Sequence, residues 1–224
     1  ATAVDADGKA VEADWSTGKA GMIGTSYNGT LPNAVAATGI DGLQAIQIPA
    51  VNGVPIATEN VALNVNFSDA TVPPTVTFNR GNASTYNTST STRIYDSEGK
   101  AMTLTNYYVR QADAGGVPTD DWTVYSYVGD QQLTVGGQPT TTLTFDATGS
   151  MTAPTGSIDY DPFTPNGMTV TQPLAINFGG STQTASPFSV QGRTQDGATV
   201  GEFTSVTVDK TGLLYAIVTG TVKL

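Results

Sequence analysis

Four copies of one short pattern hold the acidic residues that first suggest chemistry in this sequence. Each copy has a hydrophobic residue, Asp, two variable residues and Gly, and the copies lie at Val4–Gly8, Tyr95–Gly99, Phe145–Gly149 and Val208–Gly212. A calcium loop needs oxygen ligands at alternate positions and a Glu about six residues after the Gly. Asp5 and Asp7 could supply two ligands, and Asp14 lies six residues after Gly8, but no third ligand lies between them. The pattern therefore favours hairpin turns, in which Asp caps backbone N–H groups and Gly adopts a positive φ.

Two pairs of neighbouring aspartates are the second candidate. Glycoside hydrolysis uses two carboxylates, and Asp120–Asp121 and Asp159–Asp161 supply such pairs by count. Both pairs lie beside Pro or turn residues. No neighbouring residue indicates the desolvation that would raise the pKa of one carboxyl group. Ordinary exposed aspartates are the favoured interpretation at both places.

The third candidate is a row of aromatic side chains in residues 122–128. Alternation along a strand assigns them to two faces, with Trp122, Val124 and Val128 on one and Tyr125 and Tyr127 on the other. The first set is typical of a core. The tyrosines, with Tyr107 or Tyr108 on the preceding strand, form either cross-strand packing or a stripe on which a sugar stacks. Packing is the favoured alternative.

Several kinds of catalysis are excluded by residue types that are absent. The 224 residues include no Cys and no His, which excludes disulfides and thiolate catalysis and removes the commonest general base and metal ligand. No Gly-x-Ser-x-Gly elbow and no phosphate-binding Gly loop before a helix is present. The sequence predicts that the protein is no enzyme, with no catalytic, cofactor-binding or metal-binding residue and no cofactor.

The composition also limits the partners. Hydrophobic residues make up 38% and charged residues 12% of the chain, and the formal net charge is −10. Nucleic acids and anionic membranes attract clustered Lys and Arg, so neither is expected as a partner. No apolar run approaches the length of a membrane span. The absence of an initiator Met and of a signal sequence suggests a trimmed or processed fragment.

Short strands are the elements predicted to hold these residues. Alternating or β-branched runs predict strands or hairpins at residues 43–48, 61–67, 91–110, 122–128, 140–145, 168–170, 174–178 and 200–218. Residues 72–78 open with a Pro pair and are predicted to be an edge strand or an extended lead-in. The Pro-rich stretch 151–167 is predicted to be a long surface connection. Without any sustained helical period, the prediction is an all-β protein with sandwich-like or barrel-like domains.

The central part of the sequence holds more specific motifs. Ser84–Thr92 contains a Tyr-Asn lead-in, Ile94–Lys100 a hydrophobic-Tyr-Asp-Ser-x-Gly turn, and Leu104–Val109 a strand that ends in aromatic-Val. Trp122–Tyr125 and Leu143–Gly149 follow in order. These ordered blocks resemble the bacterial flagellar hook protein family, over roughly residues 43–218.

The flanking motifs of this resemblance imply two domains. Ile56–Asn66 looks like the lead-in to the outer domain of a hook protein, and Gln195–Phe203 with Val206–Gly212 looks like the return to the inner domain. The resemblance implies an outer β domain inserted into a discontinuous inner one. The predicted bounds are residues 55–187 for the outer domain, and 1–54 with 188–224 for the inner.

Function is likewise implied by the resemblance. Hook proteins carry heptad-patterned segments at both ends, which this sequence lacks, so an outer β-domain fragment is expected. The family implies a type III export substrate that forms the extracellular bacterial flagellar hook. This hook is a homopolymer that acts as a universal joint between motor and filament. Other flagellar axial proteins are its expected neighbours. Two alternatives stay open: a carbohydrate-binding or adhesive β module, and a related rod or hook-associated axial protein.

Overall fold

A computed structural model describes residues 3–4, 10–11, 51–52, 54–208, 210 and 214–219. These residues form strands, turns and connections, with one turn of 3-10 helix at Ala83–Thr85, which confirms the all-β prediction. No helix in this part of the chain is long and apolar enough to cross a membrane. The chain divides into two compact units, residues 1–54 with 200–224 and residues 55–199.

The strands of the described residues are numbered in chain order. They are β1 (Ala3–Val4), β2 (Ala10–Val11), β3 (Val51–Asn52), β4 (Asn60–Ser68), β5 (Thr88–Tyr95), β6 (Ala101–Ala112), β7 (Pro118–Val128), β8 (Gln131–Gln132), β9 (Thr141–Phe145), β10 (Met151–Ala153), β11 (Ile158–Phe163), β12 (Gln172–Asn177), β13 (Thr182–Thr184), β14 (Ser189–Gln195), β15 (Gly201–Val208) and β16 (Leu214–Thr219).

The first unit, residues 1–54 with 200–224, contains five of these strands. β1 pairs with β2, and β15 pairs with both β16 and β3, all antiparallel. The pairing of β15 with β16 confirms the hairpin predicted at 200–218. The strand predicted at 43–48 and the turns predicted around Asp5 and Asp209 lie outside the described residues.

The second unit, residues 55–199, is a sandwich of two sheets. Sheet 1 has the order β10-β9-β7-β6-β5 with β8 added to β7, and sheet 2 has the order β11-β12-β4-β13 with β14 also paired to β4. Phe67 of β4 stacks on Trp122 of β7, with ring centroids 4.2 Å apart, and meets Tyr108 of β6 edge-on at 5.1 Å. These contacts show that the two sheets face each other across one core.

Side chains of both sheets fill that core. The buried apolar residues are Val61, Leu63, Val65, Phe67, Ile158, Tyr160, Phe163, Leu174 and Ile176 from sheet 2, and Ile94, Leu104, Tyr108, Trp122, Val124, Val128, Leu143 and Phe145 from sheet 1. Full burial of one such side chain contributes about 1.5–3 kcal/mol. The alternation predicted for residues 61–67 is confirmed, since all four of its apolar members point into the core.

The prediction of a surface connection at 151–167 is wrong, because β10 and β11 lie there. Ile158, Tyr160 and Phe163 are buried, and β11 pairs with β12 at the edge of sheet 2. Pro162 coincides with the register shift between Tyr160 and Phe163. Proline is tolerated at bulges and on edge strands because no ladder hydrogen bond depends on its missing N–H. Residues 168–170, predicted as a strand, contain none, and residues 72–78 form no edge strand.

The predicted boundary between residues 187 and 188 also differs from the structure. β14 follows that point, and it pairs antiparallel with β4 from Val61 to Asn66. Because the pairing is with the central strand of sheet 2, residues 188–199 belong to the second unit. Residues 189–195 carry no apolar alternation and are not predicted as a strand from the sequence, so both the strand and its partner are set by the tertiary fold.

Both described copies of the Asp-x-x-Gly pattern form the predicted turn. In each, one carboxylate oxygen accepts N–H groups from the residues two and four positions on, at 2.8 to 3.0 Å. The φ angle is 78° at Gly99 and 79° at Gly149. A third turn with the same bonds occurs at Asp113–Val117, where Gly116 has a φ of 80°. It escapes the pattern because Ala112, and not a large hydrophobic residue, precedes its aspartate.

The three glycines differ in what surrounds them. A Cβ atom on Gly149 would lie 1.9 Å from the carbonyl oxygen of Gln183, and one on Gly99 would lie 2.9 Å from the Cβ of Pro55. Around Gly116 no other atom lies within 4 Å of that position. Two of the turns therefore dock closely on neighbouring chain segments, and the third projects freely.

This difference predicts unequal effects of alanine at matched positions. Both Gly116→Ala and Gly149→Ala put a Cβ at a positive φ, which costs about 1–2 kcal/mol. Gly149→Ala must also displace the backbone of β13, and we expect it to lose at least about 2 kcal/mol more. Urea denaturation of the full chain, followed by circular dichroism, measures both. Equal losses would show that the contact with Gln183 is not tight.

Candidate interaction surface

The tyrosines predicted on β7 lie on the outer face of sheet 1. Trp122, Val124 and Val128 point into the core, while Tyr125 and Tyr127 point away from it, as alternation predicts. Tyr107 of β6 is directly opposite Tyr125, whereas Tyr108 is fully buried in the core. The structure thus selects Tyr107 as the third member of the aromatic row.

A long connection covers this row. Residues 69–87, which join β4 to β5 and are called the strap below, cross the outer face of sheet 1. Phe78 of the strap stacks on Tyr125 with ring centroids 3.8 Å apart and an interplanar angle of 16°. Tyr86 meets Tyr107 edge-on at 4.9 Å. A second aromatic cluster therefore lies outside the sandwich core.

Arg80 closes this cluster at its polar end. Its guanidinium group lies 5.0 Å from the ring centroid of Tyr127, donates to the carbonyl of Gly129 at 3.1 Å and forms an ion pair with Asp130 at 2.6 Å. The pKa of Tyr127 is raised by partial burial, against the opposing effect of Arg80. The phenol is therefore neutral near pH 7, and it offers an aromatic face and a hydrogen-bonding hydroxyl.

The base of the strap is held by a buried arginine. Arg110 of β6 is 5% exposed and donates from Nη1 to the carbonyls of Asp69 and Thr71 at 2.5 and 2.8 Å. Its Nε atom donates to the carbonyl of Thr119 at 2.8 Å. Charge-assisted bonds to backbone carbonyls satisfy this buried cation and fix the start of the strap.

Alternation in the sequence predicts the face on which the tyrosines lie, but it does not predict that the strap packs over them. Phe78 lies in a stretch that opens with a Pro pair, and it is separated from Tyr125 by 47 positions. The alternation of Val76 and Phe78 is the one local signal for a packed side chain there. Nothing local identifies Tyr125 as its partner.

Three of the four aspartates in the candidate pairs are hydrogen-bonded to polar side chains. The carboxylate of Asp120 accepts from Gln183 Nε2 at 2.6 Å, and that of Asp121 accepts from Thr144 Oγ1 at 2.7 Å, so the two bind different neighbours. Asp159 is exposed on β11. Asp161 accepts from Thr134 Oγ1 at 2.6 Å, which lowers its pKa. A general acid needs the opposite shift.

Carboxylates of the described turns are likewise occupied by their own backbone. The pKa of Asp146 is lowered by the hydroxyl of Thr148 and by backbone N–H groups of the turn. Among the described residues, no group of three or more acidic side chains is placed to hold a metal ion. Asp5, Asp7 and Asp14 lie outside the described residues.

Comparison with known protein families gives one extended match. The family model described as the flagellar basal body protein FlaE D2 domain matches residues 62–198, which is more than half of the chain. The chain belongs to this flagellar protein family. This membership confirms the predicted family.

Other similarities are local or weak. A segment of 46 residues, 20% of the chain, is 63% identical to 8% of the putative Xaa-Pro dipeptidyl-peptidase of Bacillus anthracis. A segment of 39 residues, 17% of the chain, is 64% identical to 6% of the corresponding protein of Rhodopirellula baltica. The chain thus spans less than a tenth of these relatives, and segments so short give no ground for assigning peptidase activity.

Among solved structures, the crystal structure of the Helicobacter pylori flagellar hook protein FlgE2 is similar at 19% identity. The alignment covers 58% of this chain and 31% of the other, with a TM-score of 0.37. Family membership accordingly rests on the sequence match.

Removing the ring of Phe78 should loosen the strap of this flagellar protein. We expect Phe78→Ala to cost about 1–2 kcal/mol beyond Val76→Ala, because an aromatic pair contributes about 0.5–1.5 kcal/mol in addition to burial. Val76 is the matched control, since it lies on the strap and is 53% exposed. Urea denaturation of both variants compares them, and equal losses would contradict the packing of the strap.

The environment of Asp161 predicts how its pKa responds to mutation. Its carboxylate should titrate below the ordinary value of about 3.9 in an NMR pH series. Because the pKa is lower in the folded state, the stabilisation is present above the unfolded value and is lost as the pH falls through the folded one. Thr134→Val should raise the pKa, and Thr134→Ser should keep it low. A raised pKa in the parent chain would overturn this assignment.

Proposed function

We propose that this chain is a non-enzymatic structural subunit of the extracellular flagellar hook, where its copies assemble into the polymeric joint between motor and filament. The match of the flagellar family model to residues 62–198 carries the proposal. That match coincides closely with the second unit, residues 55–199. The sandwich with its strap is therefore the part that the proposal assigns to the hook.

The internal packing of the second unit supports a mechanical role. Trp122 and Phe67 stack across the core, and the indole N–H donates to Gln183 Oε1 at 2.7 Å, so sheet 1 and sheet 2 are joined by both apolar and polar contacts. Close-packed protein interiors deform little and transmit strain. A sandwich of this kind moves as one body, which suits a joint that bends while each sandwich keeps its shape.

The surface chemistry supports it as well. Charged residues make up only 12% of the chain, and the ion pair from Arg80 to Asp130 involves an aspartate side chain that is 98% exposed. Exposed ion pairs of this kind contribute little binding energy, and water-mediated polar contacts exchange readily. Surfaces held by such contacts slide past one another without deep energy minima. Partners of this surface are expected to be further copies and neighbouring axial proteins.

A carbohydrate-binding role receives less support from the geometry. The ring of Phe78 already covers one face of Tyr125, the face that a stacked sugar would need. The aromatic row is thus used for packing within the second unit. The other alternative is a rod or hook-associated axial protein. Such a protein would occupy a different part of the flagellum from the hook, and the experiment below distinguishes the two locations.

Site-specific labelling tests the location. The chain has no Cys, so Ala114→Cys, introduced into the chromosomal gene, places a single thiol in the exposed turn between β6 and β7. We expect maleimide–gold to decorate the hooks of isolated hook–basal bodies along their length. Leu104→Cys, at a fully buried position, is the matched control and should remain unlabelled.

Other labelling patterns have definite meanings. Label confined to the rod, or to the junction with the filament, would show that the chain is a rod or hook-associated axial protein and not a hook subunit. Label absent from the whole flagellum, with the protein expressed, would overturn the proposal.

A further inference from the structure

The two chain segments that enter and leave the second unit lie side by side. Ile56 and Ala198 exchange both backbone hydrogen bonds, at 2.9 and 2.8 Å. Further in, β4 and β14 form an antiparallel ladder whose last pair is Val61 with Gln195. Residues 56–60 and 195–198, called the clasp below, connect this ladder to the bridge at Ile56.

Asp196 holds the clasp together where backbone pairing is interrupted. Its backbone N–H donates to the carbonyl of Asn60 at 3.3 Å, and beyond that bond residues 57–59 lie opposite Gly197 alone. The carboxylate replaces the missing ladder bonds: Oδ1 accepts the N–H groups of Glu59 and Asn60, each at 3.0 Å. Oδ2 accepts from Asn60 Nδ2 at 2.7 Å. These bonds lie on the exposed side of the clasp.

The opposite side of the clasp is anchored in the sandwich. Thr58 is fully buried, its N–H donates to the carbonyl of Tyr95 at 2.9 Å, and its Oγ1 accepts the N–H of Tyr95 at 2.9 Å. Gln172 Nε2 donates to the carbonyl of Thr58 at 2.7 Å. A Cβ on Gly197 would lie 2.1 Å from Thr58 Oγ1, so Gly197 permits this close approach. Thr58 therefore belongs to the folded body. Glu59 is joined to it as well, because its carbonyl accepts the N–H of Ala175 in β12 at 2.7 Å, whereas the N–H groups of Glu59 and Asn60 bond to the Asp196 carboxylate.

We propose that Asp196 is a latch residue, whose release opens the clasp locally while the sandwich stays folded and so frees the connecting segments to change direction. The hydrogen bonds of the Asp196 carboxylate are exposed, and exposed hydrogen bonds open more readily than those of a core. The Ile56–Ala198 bridge lies outermost, and the interrupted pairing at residues 57–59 separates it from the continuous ladder. Within the clasp, Gln195 Oε1 accepts from Thr58 Oγ1 at 2.8 Å and from the N–H of Gly197 at 2.6 Å, so the Asp196 carboxylate is the group that holds its exposed side.

The charge of Asp196 is consistent with this role. Partial burial alone would raise its pKa, but the hydrogen bonds from Asn60 and Glu59 outweigh that effect, and the pKa is lowered. The carboxylate is ionised near pH 7, and hydrogen bonds to an ionised acceptor are stronger than those between neutral groups. The latch is thus closed under ordinary conditions.

Hydrogen exchange of the full chain, measured residue by residue by NMR, tests the latch. In Asp196→Ala the amides of Ile56 and Ala198, which bond to each other and not to the carboxylate, should exchange about tenfold faster or more. The amides of Leu63 and Ile176, in the continuous ladders, should keep their rates. Asp196→Asn, which keeps the shape and one acceptor oxygen, should give a smaller increase.

Asp159→Ala is the matched control, because it removes one exposed carboxylate from β11, outside the clasp. It should leave the rates of Ile56 and Ala198 unchanged. Acceleration at Leu63 together with Ile56 in both Asp196 variants would show that the clasp opens only with the core, and would overturn the proposal. Unchanged rates at Ile56 and Ala198 would overturn it too. The test uses only the second unit's own amides, so its result is independent of the proposed hook role.

Discussion

The second unit depends on the contact between Trp122 and the strand that faces it. The indole stacks on Phe67 across the core, and because its N–H is buried as well, the group needs an acceptor inside the sandwich. Gln183 supplies that acceptor from sheet 2 and donates its own amide to Asp120 at 2.6 Å. One side chain thus fixes the distance between the sheets and the position of β13 at once.

Other parts of the structure follow from this arrangement. Gly149 has to be a glycine because its turn packs against the carbonyl of Gln183. Arg110, opposite Trp122 on β6, lies 6.0 Å from the indole ring centroid and binds the carbonyls at the start of the strap. The strap then covers the tyrosines on the outer face of sheet 1. Core, docked turn and covered surface are therefore linked through a few buried polar groups, where each loss leaves a partner unsatisfied.

This organisation combines a tightly joined sandwich with connections that the proposed latch holds. The sandwich is stiff because its apolar core and its inter-sheet hydrogen bonds reinforce each other. Its connections are held at Ile56 and Ala198 by their mutual backbone bonds, and the adjoining N–H groups of Glu59 and Asn60 are held by exposed bonds to Asp196. In the proposed joint, compliance located at the attachment would leave the shape of each sandwich unchanged. The surface and the clasp thus serve the same proposed role.

Local residue patterns by themselves determined the strand character of the chain, the two described turns and the faces of β4 and β7, because alternation and turn chemistry act over a few residues. Motif order also determined the flagellar family. Tertiary structure alone decided the partner of β14, the burial of β11 despite Pro162, and the cover that Phe78 forms over Tyr125. Those features join residues far apart in the chain, and a pairing between distant segments is selected by the packing of the whole sandwich. The aspartates show the same contrast between local sequence and tertiary structure. The local pattern determines the Asp-x-x-Gly turns, whereas only the fold brings Asp196 to the N–H groups of Glu59 and Asn60.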